Sequence, residues 1–345
     1  MSPKLSRLGI QKADKRREDD LAHLYHSVDE VDSPVNSSEL SLLVNRSSTM
    51  YTNNKTLRFT RNTGQRLTPD QRIFYEENGY LVVPRLVPQN ILEKCSSRFD
   101  DIATKKVKRG MMTVMHDVVD RKSVNKIQDI VHDEVFCEYI EYKPLLDIVE
   151  CFTGPSIMAM HTMLIAKPPD IGSKSSRHPP HQDMYYFPFG PADRIVAAWT
   201  AIEPCDTLNG CLYVSPGSHL AGQLYSHGYP QKLDGPVNKL YHQIQDLPDS
   251  LVWVHLEAEP GDTLFFHPLL IHGSGVNRSK RTRKVISCHY AAADCKYTEV
   301  RGTVQEPIRN EAMEIMRKRL PGLDVDFTDY WRLRSKLVRG IRSSL

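Results

Sequence analysis

The part of the chain that follows Ser156 consists of short β-type runs separated by turn residues. Asn209-Gly210 and Pro260-Gly261 are two of these turn signals. Many short strands at such spacing are typical of layered or closed β architectures. The pattern therefore predicts a mainly β fold with flanking helices, arranged as a sandwich or jelly roll. The predicted strands are Ile157–Ala166, Ile195–Ile202, Cys211–Val214, Leu251–Leu256, Thr263–Phe266 and Val285–Ala291.

Helical signals stand before and after this β region. Thr68, Pro69 and Gln71 form the pattern of a capping box with proline at the first helical position, and Asn78-Gly79 is a helix stop. Apolar residues with a period near 3.6 predict further helices. The other predicted elements are the strand Tyr80–Val83 and the helices Pro88–Ala103, Pro144–Phe152, Glu311–Arg319 and Thr328–Val338.

One folded domain is expected after a polar leader. Residues 1–56 are rich in serine and asparagine and have no sustained periodicity, which predicts a flexible leader or targeting segment. Met50 could be an alternative start, and the role of residues 1–49 stays open. We expect the domain to occupy 57–345, with a helical part at 67–154, the β core at 156–292 and C-terminal helices at 305–340.

Charge and cysteine content exclude several classes of protein. The 345 residues carry 45 basic and 42 acidic side chains, so the chain has no overall nucleic-acid footprint. None of the seven cysteines forms a C-x-x-C pair, which argues against the common zinc and redox sites. No apolar run is long enough to span a membrane. We therefore expect small-molecule partners, no nucleic acid and no membrane span.

A metal site is suggested by His181-Gln182-Asp183, because residues i and i+2 of a strand point to the same face. The motif is weak alone, since His255-Leu256-Glu257 has the same pattern and chance would produce about as many. We interpret His255 and Glu257 as solvent-facing. A solvated histidine near a loop is the alternative for His181.

A third ligand strengthens this interpretation. His272 follows an apolar run and precedes a Gly-Ser-Gly bend, where backbone can approach a ligand closely. His267, beside a proline, fits a buried structural role better. Two imidazoles and one carboxylate form the facial triad that holds Fe(II) and leaves positions open.

Arg283 lies eleven residues beyond His272, at the start of a predicted strand. An arginine there could form a bidentate pair with a carboxylate inside the fold. It also belongs to a basic run with Arg278, Lys280, Arg281 and Lys284. Position alone favours the surface alternative.

The order of these residues resembles that of the Fe(II)/2-oxoglutarate dioxygenases, and the surrounding strings resemble the phytanoyl-CoA dioxygenase family. The resemblance extends from about Leu67 to the C-terminus. It rests on long strings, which are far more specific than a three-residue motif. They are Phe74-Tyr-Glu-Glu-Asn-Gly79, Cys151-Phe-Thr-Gly-Pro155, Ile157-Met-Ala-Met-His-Thr-Met-Leu164, Ser176-Arg-His-Pro179, Phe265-Phe-His-Pro-Leu-Leu-Ile-His-Gly-Ser-Gly275 and Ile286-Ser-Cys-His289.

The resemblance implies a double-stranded β-helix that binds iron through His181, Asp183 and His272. It also implies that 2-oxoglutarate chelates the iron while Arg283, helped by Ser274, pairs with its distal carboxylate. The resemblance implicates four further cosubstrate contacts, which are Lys126, Met163, Gln182 and Trp199. Without the resemblance, Met163 and Trp199 would be assigned to the core and Lys126 to the surface.

The implied activity is 2-hydroxylation of a branched-chain acyl-CoA, with 2-oxoglutarate converted to succinate and CO2. Because related halogenases lack the carboxylate ligand, Asp183 indicates hydroxylation. The resemblance also implies ascorbate dependence, a monomer and a peroxisomal location, with the cytoplasm as the alternative. Ser343-Ser344-Leu345 is only a loose relative of the C-terminal peroxisomal address.

Three alternatives remain open at this point. The substrate could be another acyl-CoA or a free acid, or the chain could be a non-enzymatic jelly-roll binding protein. A basic rim would suit the phosphates of coenzyme A, although solubilising loops explain it equally well. The rim candidates are Lys174, Arg177, Arg278, Lys280 and Arg281.

Overall fold

The computed structural model describes residues 57–61, 66–170, 172–231, 235–319, 321–322 and 324–345. The predicted leader and Met50 lie outside the described residues. The helices are α1 (Pro69–Asn78), α2 (Gln89–Ala103), α3 (Glu134–Ile140), α4 (Lys143–Thr153), α5 (Glu306–Arg319) and α6 (Phe327–Leu333). The strands of the first half are β1 (Tyr80–Val83), β2 (Thr113–His116), β3 (Val124–Gln128), β4 (Ile157–Lys167), β5 (His178–His181), β6 (Phe189–Gly190), β7 (Ile195–Ala201) and β8 (Leu212–Val214). Those of the second half are β9 (His227–Gly228), β10 (Gln243–Ile244), β11 (Val254–Leu256), β12 (Thr263–Phe266), β13 (His272–Ser274), β14 (Arg283–Ala292), β15 (Lys296–Tyr297) and β16 (Lys336–Arg339).

Two antiparallel sheets enclose the interior. The larger has the order β1-β12-β7-β14-β4-β3-β2, with β16 added beside β4, and the smaller has the order β11-β8-β13-β5. Strands distant in sequence are neighbours in both sheets, as in a double-stranded β-helix. The predicted fold class is confirmed. All seven residues of β7 are buried, which explains why this central strand reads as a continuous apolar run.

Helices cover the outer face of the larger sheet. α4 packs against β7 and β14, and the rings of Phe152 and Phe265 stack at 5.7 Å. The Tyr139 hydroxyl of α3 lies 2.9 Å from the hydroxyl of Thr200 on β7. Buried residues of α1 to α4 belong to one core with the sheet. The other face of the sheet is thereby left for the interior of the β-helix.

The segment 67–154 is less helical than its sequence indicates. It also supplies β1, β2 and β3 to the larger sheet, and α3 was not predicted. The strands of the β2–β3 hairpin are only four and five residues long, so their periodicity is weak. The pairing of β3 with β4, where Lys126 lies opposite Ile165, fixes the position of the hairpin in the larger sheet.

The predicted helix Thr328–Val338 is wrong in its second half. α6 ends at Leu333, and Lys336–Arg339 forms β16 along β4. Because β3 pairs with β4 only at Met163–Ile165, the backbone edge at Ile157–Ala159 needs another partner. Tertiary pairing therefore overrides helical periodicity here.

The seven cysteines are free thiols, and all but Cys137 are buried. In the part of the chain that the structure describes, no helix has the length and apolar character needed to cross a bilayer.

The capping box of α1 allows a test of the fold. The Thr68 side chain accepts from the Gln71 N–H at 3.2 Å, and the Gln71 side chain accepts from the Thr68 N–H at 3.0 Å. We expect Thr68→Ala to lower the free energy of unfolding by about 1 kcal/mol, measured by urea denaturation. Because the two bonds form one unit, Gln71→Ala should lower the free energy of unfolding less in the Thr68→Ala background than in the parent chain. If the effects of the two substitutions were simply additive, the capping box would be contradicted.

Candidate metal centre and its cavity

Three predicted ligands converge at one end of the interior. β13 pairs with β5 so that His272 lies opposite His181. Asp183 stands two residues beyond the end of β5, at the start of a 3-10 turn rather than on the strand. The ligand atoms of His181, Asp183 and His272 all lie within 4.8 Å of one another, and all three residues are buried. The turn therefore brings the carboxylate to the imidazoles, as the strand spacing was expected to do.

Backbone carbonyls orient both imidazoles. The Nδ1 of His181 donates to the carbonyl of Pro179 at 2.8 Å, and the Nδ1 of His272 donates to that of Leu270 at 3.0 Å. Each Nε2 then keeps a lone pair, and the two lie 3.5 and 3.8 Å from carboxylate oxygens of Asp183. Burial lowers the pKa of His272 to about 4, so this ring is neutral and able to bind a metal.

Asp183 is ionised and has an outer partner. Burial alone would raise the pKa of its carboxyl, but the imidazoles of His289 and His272 hold it well below its usual range. The Nε2 of His289 lies 2.8 Å from Oδ2 of Asp183, as in the outer contacts that orient metal-binding carboxylates. Two imidazoles and one carboxylate are the donor set for Fe(II), so the residues fit this metal.

The other His-x-acid motif does not join this cluster. Its predicted exposure is wrong for His255, which is 7% exposed and lies with Nδ1 3.9 Å from the Sγ of Cys211. Glu257 is half-buried and accepts from the Thr207 N–H. His267 is buried beside Asp193, which agrees with its structural interpretation.

The triad opens onto a cavity whose floor is the ladder between β4 and β14. Lys167 lies opposite Arg283, and His161 lies opposite His289. All four residues line the cavity, as does Met163 between them on β4. Alternate residues of a strand share one face, which brings these side chains to the same side of the sheet.

One end of the ladder holds two buried cations. The Nη2 of Arg283 donates to the carbonyl of Gly210 at 2.6 Å, and the Nζ of Lys167 donates to Ser274 Oγ at 2.8 Å and to the Gly275 carbonyl at 2.5 Å. Gly210 has φ +79°, and a Cβ there would lie 2.3 Å from the Gly275 oxygen. Glycine thus lets two backbone segments meet around the cations.

These cations lack an acidic partner. No carboxylate of the described residues lies within ion-pair distance of Arg283 or Lys167, and the Nε of Arg283 is buried without a hydrogen bond. Burial and the charge of Arg283 lower the pKa of Lys167 well below its usual range, and an anion bound beside the amine would restore its charge. Because unpaired buried charge is costly, this end of the cavity is built for an anion. It suits the distal carboxylate of 2-oxoglutarate.

Most of the predicted cosubstrate residues line this cavity. Lys126, Met163, Trp199, Ser274 and Arg283 all face it, although they come from five different strands. Burial lowers the pKa of Lys126 to about 7. The guanidinium carbon of Arg283 lies 5.4 Å from the centre of the Trp199 ring. The surface alternative for Arg283 is wrong, since the residue is 2% exposed.

The structure does not bring Gln182 to the cavity. Its amide donates to the carbonyls of Gln223 and Leu269, both at 2.9 Å, and its Oε1 accepts from the Tyr225 N–H. As the residue between two ligands on a turning strand, it points to the opposite side. A contact with the cosubstrate stays a prediction, and the observed contacts hold loops behind the triad.

The candidates for a basic rim are placed outside the cavity. Lys174, Arg278, Lys280 and Arg281 are exposed, and Arg177 is half-buried and donates to the carbonyls of Lys174 and Gly235. Their contact with coenzyme A stays a prediction.

Sequence reasoning missed Lys167, His161 and His289. The signal was present in the period of two along the strands. Counting in twos from Met163 reaches His161 and Lys167, and counting from Arg283 reaches His289.

A double-stranded β-helix with this triad at one end of its interior is the arrangement of non-haem Fe(II)/2-oxoglutarate-dependent oxygenases. A family model described as phytanoyl-CoA dioxygenase (PhyH) matches residues 75–285. The chain belongs to the phytanoyl-CoA dioxygenase family, as predicted.

Two relatives and one solved structure illustrate the similarity. "Phytanoyl-CoA dioxygenase, peroxisomal" of Rattus norvegicus is 52% identical over 289 residues, covering 81% of this chain and 85% of the relative. "Probable phytanoyl-CoA dioxygenase" of Caenorhabditis elegans is 51% identical over 302 residues, covering 82% and 96%. The crystal structure of EctD from S. alaskensis superimposes with a TM-score of 0.56 at 16% identity, covering 72% of this chain and 85% of that chain. This structural likeness supports the fold.

Loss of the carboxylate ligand tests the metal centre. We expect Asp183→Ala to weaken Fe(II) binding by more than about 100-fold, because it removes the sole anionic ligand of the triad. This exceeds the loss of metal affinity that removal of an outer hydrogen-bond partner typically causes. Isothermal titration under nitrogen measures the affinity. Glu257→Ala, in the second His-x-acid motif, is the control; equal affinities for Asp183→Ala and the parent chain would refute the triad.

His289→Leu tests the outer contact. Removing the Nε2 donor leaves the Asp183 carboxylate without its orienting bond, so we expect Fe(II) affinity to fall by about 10- to 100-fold. The same titration should therefore place this variant between the parent chain and Asp183→Ala. An affinity equal to that of the parent would show that His289 does not orient the ligand.

Proposed function

We propose that the protein catalyses the 2-hydroxylation of a branched-chain acyl-CoA of the phytanoyl-CoA type. One oxygen atom of O2 enters the C2–H bond of the acyl chain as a hydroxyl group. The other enters 2-oxoglutarate, which loses CO2 and becomes succinate. Membership of the family and the names of its relatives support this substrate class.

The observation that carries the proposal is the division of the cavity around the triad. On one side lie Arg283 and Lys167, two buried cations without a carboxylate partner among the described residues. On another side the cavity wall is formed by apolar side chains of α5 and α6, including Ile308, Phe327 and Trp331. One ligand must therefore be anionic and the other largely apolar, as expected for a keto acid and an acyl chain.

The chain's own residues bind and orient both ligands. His181, Asp183 and His272 would hold Fe(II), which supplies O2 activation when bound. Arg283 forms a bidentate pair with the distal carboxylate of 2-oxoglutarate, and Lys167 adds a second charge-assisted bond through Nζ. The apolar wall excludes water from the reacting carbon, which protects the cosubstrate from unproductive turnover.

A substrate screen tests the reaction. The full chain is loaded with Fe(II) and 2-oxoglutarate, and succinate release is measured in air with branched acyl-CoAs, straight-chain acyl-CoAs and the corresponding free acids. We expect branched acyl-CoA to stimulate succinate release most and to yield the 2-hydroxy product. Stimulation by free acids alone would favour the second substrate class. Binding of acyl-CoA without succinate release would favour a non-enzymatic binding protein.

We also propose a peroxisomal location, because the rat relative is named peroxisomal. The tripeptide Ser343-Ser344-Leu345 does not support this, since Leu345 is 4% exposed and its N–H donates to the Ala293 carbonyl. The predicted leader lies outside the described residues. Imaging of the full chain tagged at either end against a peroxisomal marker tests the location. The monomeric state, the domain boundaries and the requirement for ascorbate stay predictions.

Substitution of Arg283 tests the binding of 2-oxoglutarate. Truncating one partner of a buried charged pair costs about 2–5 kcal/mol. We therefore expect Arg283→Ala to raise the KM for 2-oxoglutarate by about 30-fold to several thousand-fold. Arg283→Lys keeps the charge but loses the bidentate geometry, so its KM should lie between those of Arg283→Ala and the parent.

Arg281→Ala is the matched control, because Arg281 belongs to the same basic run but is exposed. Its KM for 2-oxoglutarate should stay near that of the parent, whereas Lys167→Met should raise it. If Arg281→Ala raised KM as much as Arg283→Ala did, general electrostatics would explain the effect and the specific pair would be wrong.

A further inference from the structure

His161 presents an unused hydrogen-bonding ring to the cavity. It lies on β4, whose edges are covered by β14 and by β3 and β16, and yet its side chain is partly exposed. The ring lines the cavity. Within the described residues, neither ring nitrogen has a hydrogen-bond partner, while its backbone carbonyl faces Nδ1 of His289 at 3.4 Å.

The ring of His161 stands between the metal triad and the apolar wall. It stacks on the ring of His289 at 5.4 Å, and His289 in turn contacts the carboxylate of Asp183. The rings of Trp331 and Phe187 also lie edge-on to it, with their centres 5.8 and 6.1 Å from its centre. One aromatic ring therefore separates His161 from the triad, and its other ring contacts are apolar.

An acyl-CoA substrate requires a donor at this junction. Because C2 is bonded directly to the thioester carbon, the carbonyl oxygen must lie beside the reacting C–H bond. Leaving that oxygen buried without a donor would cost affinity. Burial lowers the pKa of His161 well below its usual range, so the ring is neutral and carries one N–H.

We propose that the ring N–H of His161 donates to the thioester carbonyl of the acyl-CoA and so places C2, rather than C3, at the metal. This inference rests on the proposed function and adds the residue that selects the position of hydroxylation. It also assigns the apolar wall beyond His161 to the branched chain, since the chain continues from C2 away from the carbonyl.

Two other donors on this side of the cavity have partners, although Nε of Arg334 has none among the described residues. The Tyr186 hydroxyl donates to the Leu240 carbonyl at 2.7 Å. The guanidinium of Arg334 pairs with Asp129 at 2.5 Å and stacks over the Trp331 ring. The ring of His161 is thus a polar group of this wall that a substrate can still engage.

Binding of two matched ligands tests the contact without turnover. One is the branched acyl-CoA thioester, and the other is its thioether analogue, in which a methylene replaces the carbonyl. Dissociation constants are measured under nitrogen with the full chain, Fe(II) and 2-oxoglutarate. The parent chain should bind the thioester about 3- to 10-fold more tightly than the thioether, as expected for one hydrogen bond.

Variants of His161 should change this ratio. His161→Leu should reduce it to about one, and His161→Gln, which keeps an N–H donor, should retain part of it. His116→Leu, which removes an exposed imidazole outside the cavity, should leave it unchanged. In His161→Leu the KM for 2-oxoglutarate should stay the same. The ratio of succinate to hydroxylated product should rise, and so should the fraction of product that is hydroxylated at C3.

Two results would overturn the assignment. Equal affinity of the parent chain for thioester and thioether would show that no group recognises the carbonyl, whatever the variants do. An unchanged preference in His161→Leu would place the donor elsewhere. Failure of the parent chain to bind either ligand would instead refute the proposed acyl-CoA substrate itself, so the two failures are distinguishable.

Discussion

The antiparallel register between β4 and β14 determines what the cavity can bind. It sets Lys167 opposite Arg283 at one end and His161 opposite His289 at the other. Since side chains alternate between faces, a slip of one residue would turn one partner of each pair into the outer core. The register is secured from both sides, because β7 pairs with β14 and β3 with β4. The helices outside the sheet support this ladder, and the smaller sheet brings the metal ligands over it.

This ladder explains the division of chemistry within one cavity. At the cationic end, glycine backbone and a serine hydroxyl surround two charges that have no acidic partner among the described residues. At the imidazole end, Nε2 of His289 contacts the carboxylate of Asp183, while the ring of His161 lines the cavity without a hydrogen-bond partner among the described residues. The triad, supplied by β5, β13 and the turn after β5, lies beside the imidazole end, where Asp183 contacts His289. An anion and an apolar chain can therefore approach the same metal from different directions.

The ligand triad and the fold class could be predicted from the sequence because they depend on local patterns. The strand and turn signals after Ser156 and the long strings around His181 and His272 are local, and the structure places them as expected. Arg283 could not be distinguished from its basic neighbours by position, because burial depends on pairing with β4. His255 was misjudged for the same reason, since packing against Cys211 buries it. The strand β16 could not be foreseen, because its partner is a free edge more than 170 residues earlier in the chain.

The central claim is that 2-oxoglutarate spans the cavity from the metal triad to the paired cations of Arg283 and Lys167. A crystal structure of the full chain grown without oxygen, with Fe(II) and 2-oxoglutarate, measures this directly. We expect the metal at Nε2 of His181 and His272 and at the Asp183 carboxylate, with the distal carboxylate against the Arg283 guanidinium. A distal carboxylate bound at Arg334, or against Lys126 with the Arg283 guanidinium left without an anion, would contradict the claim.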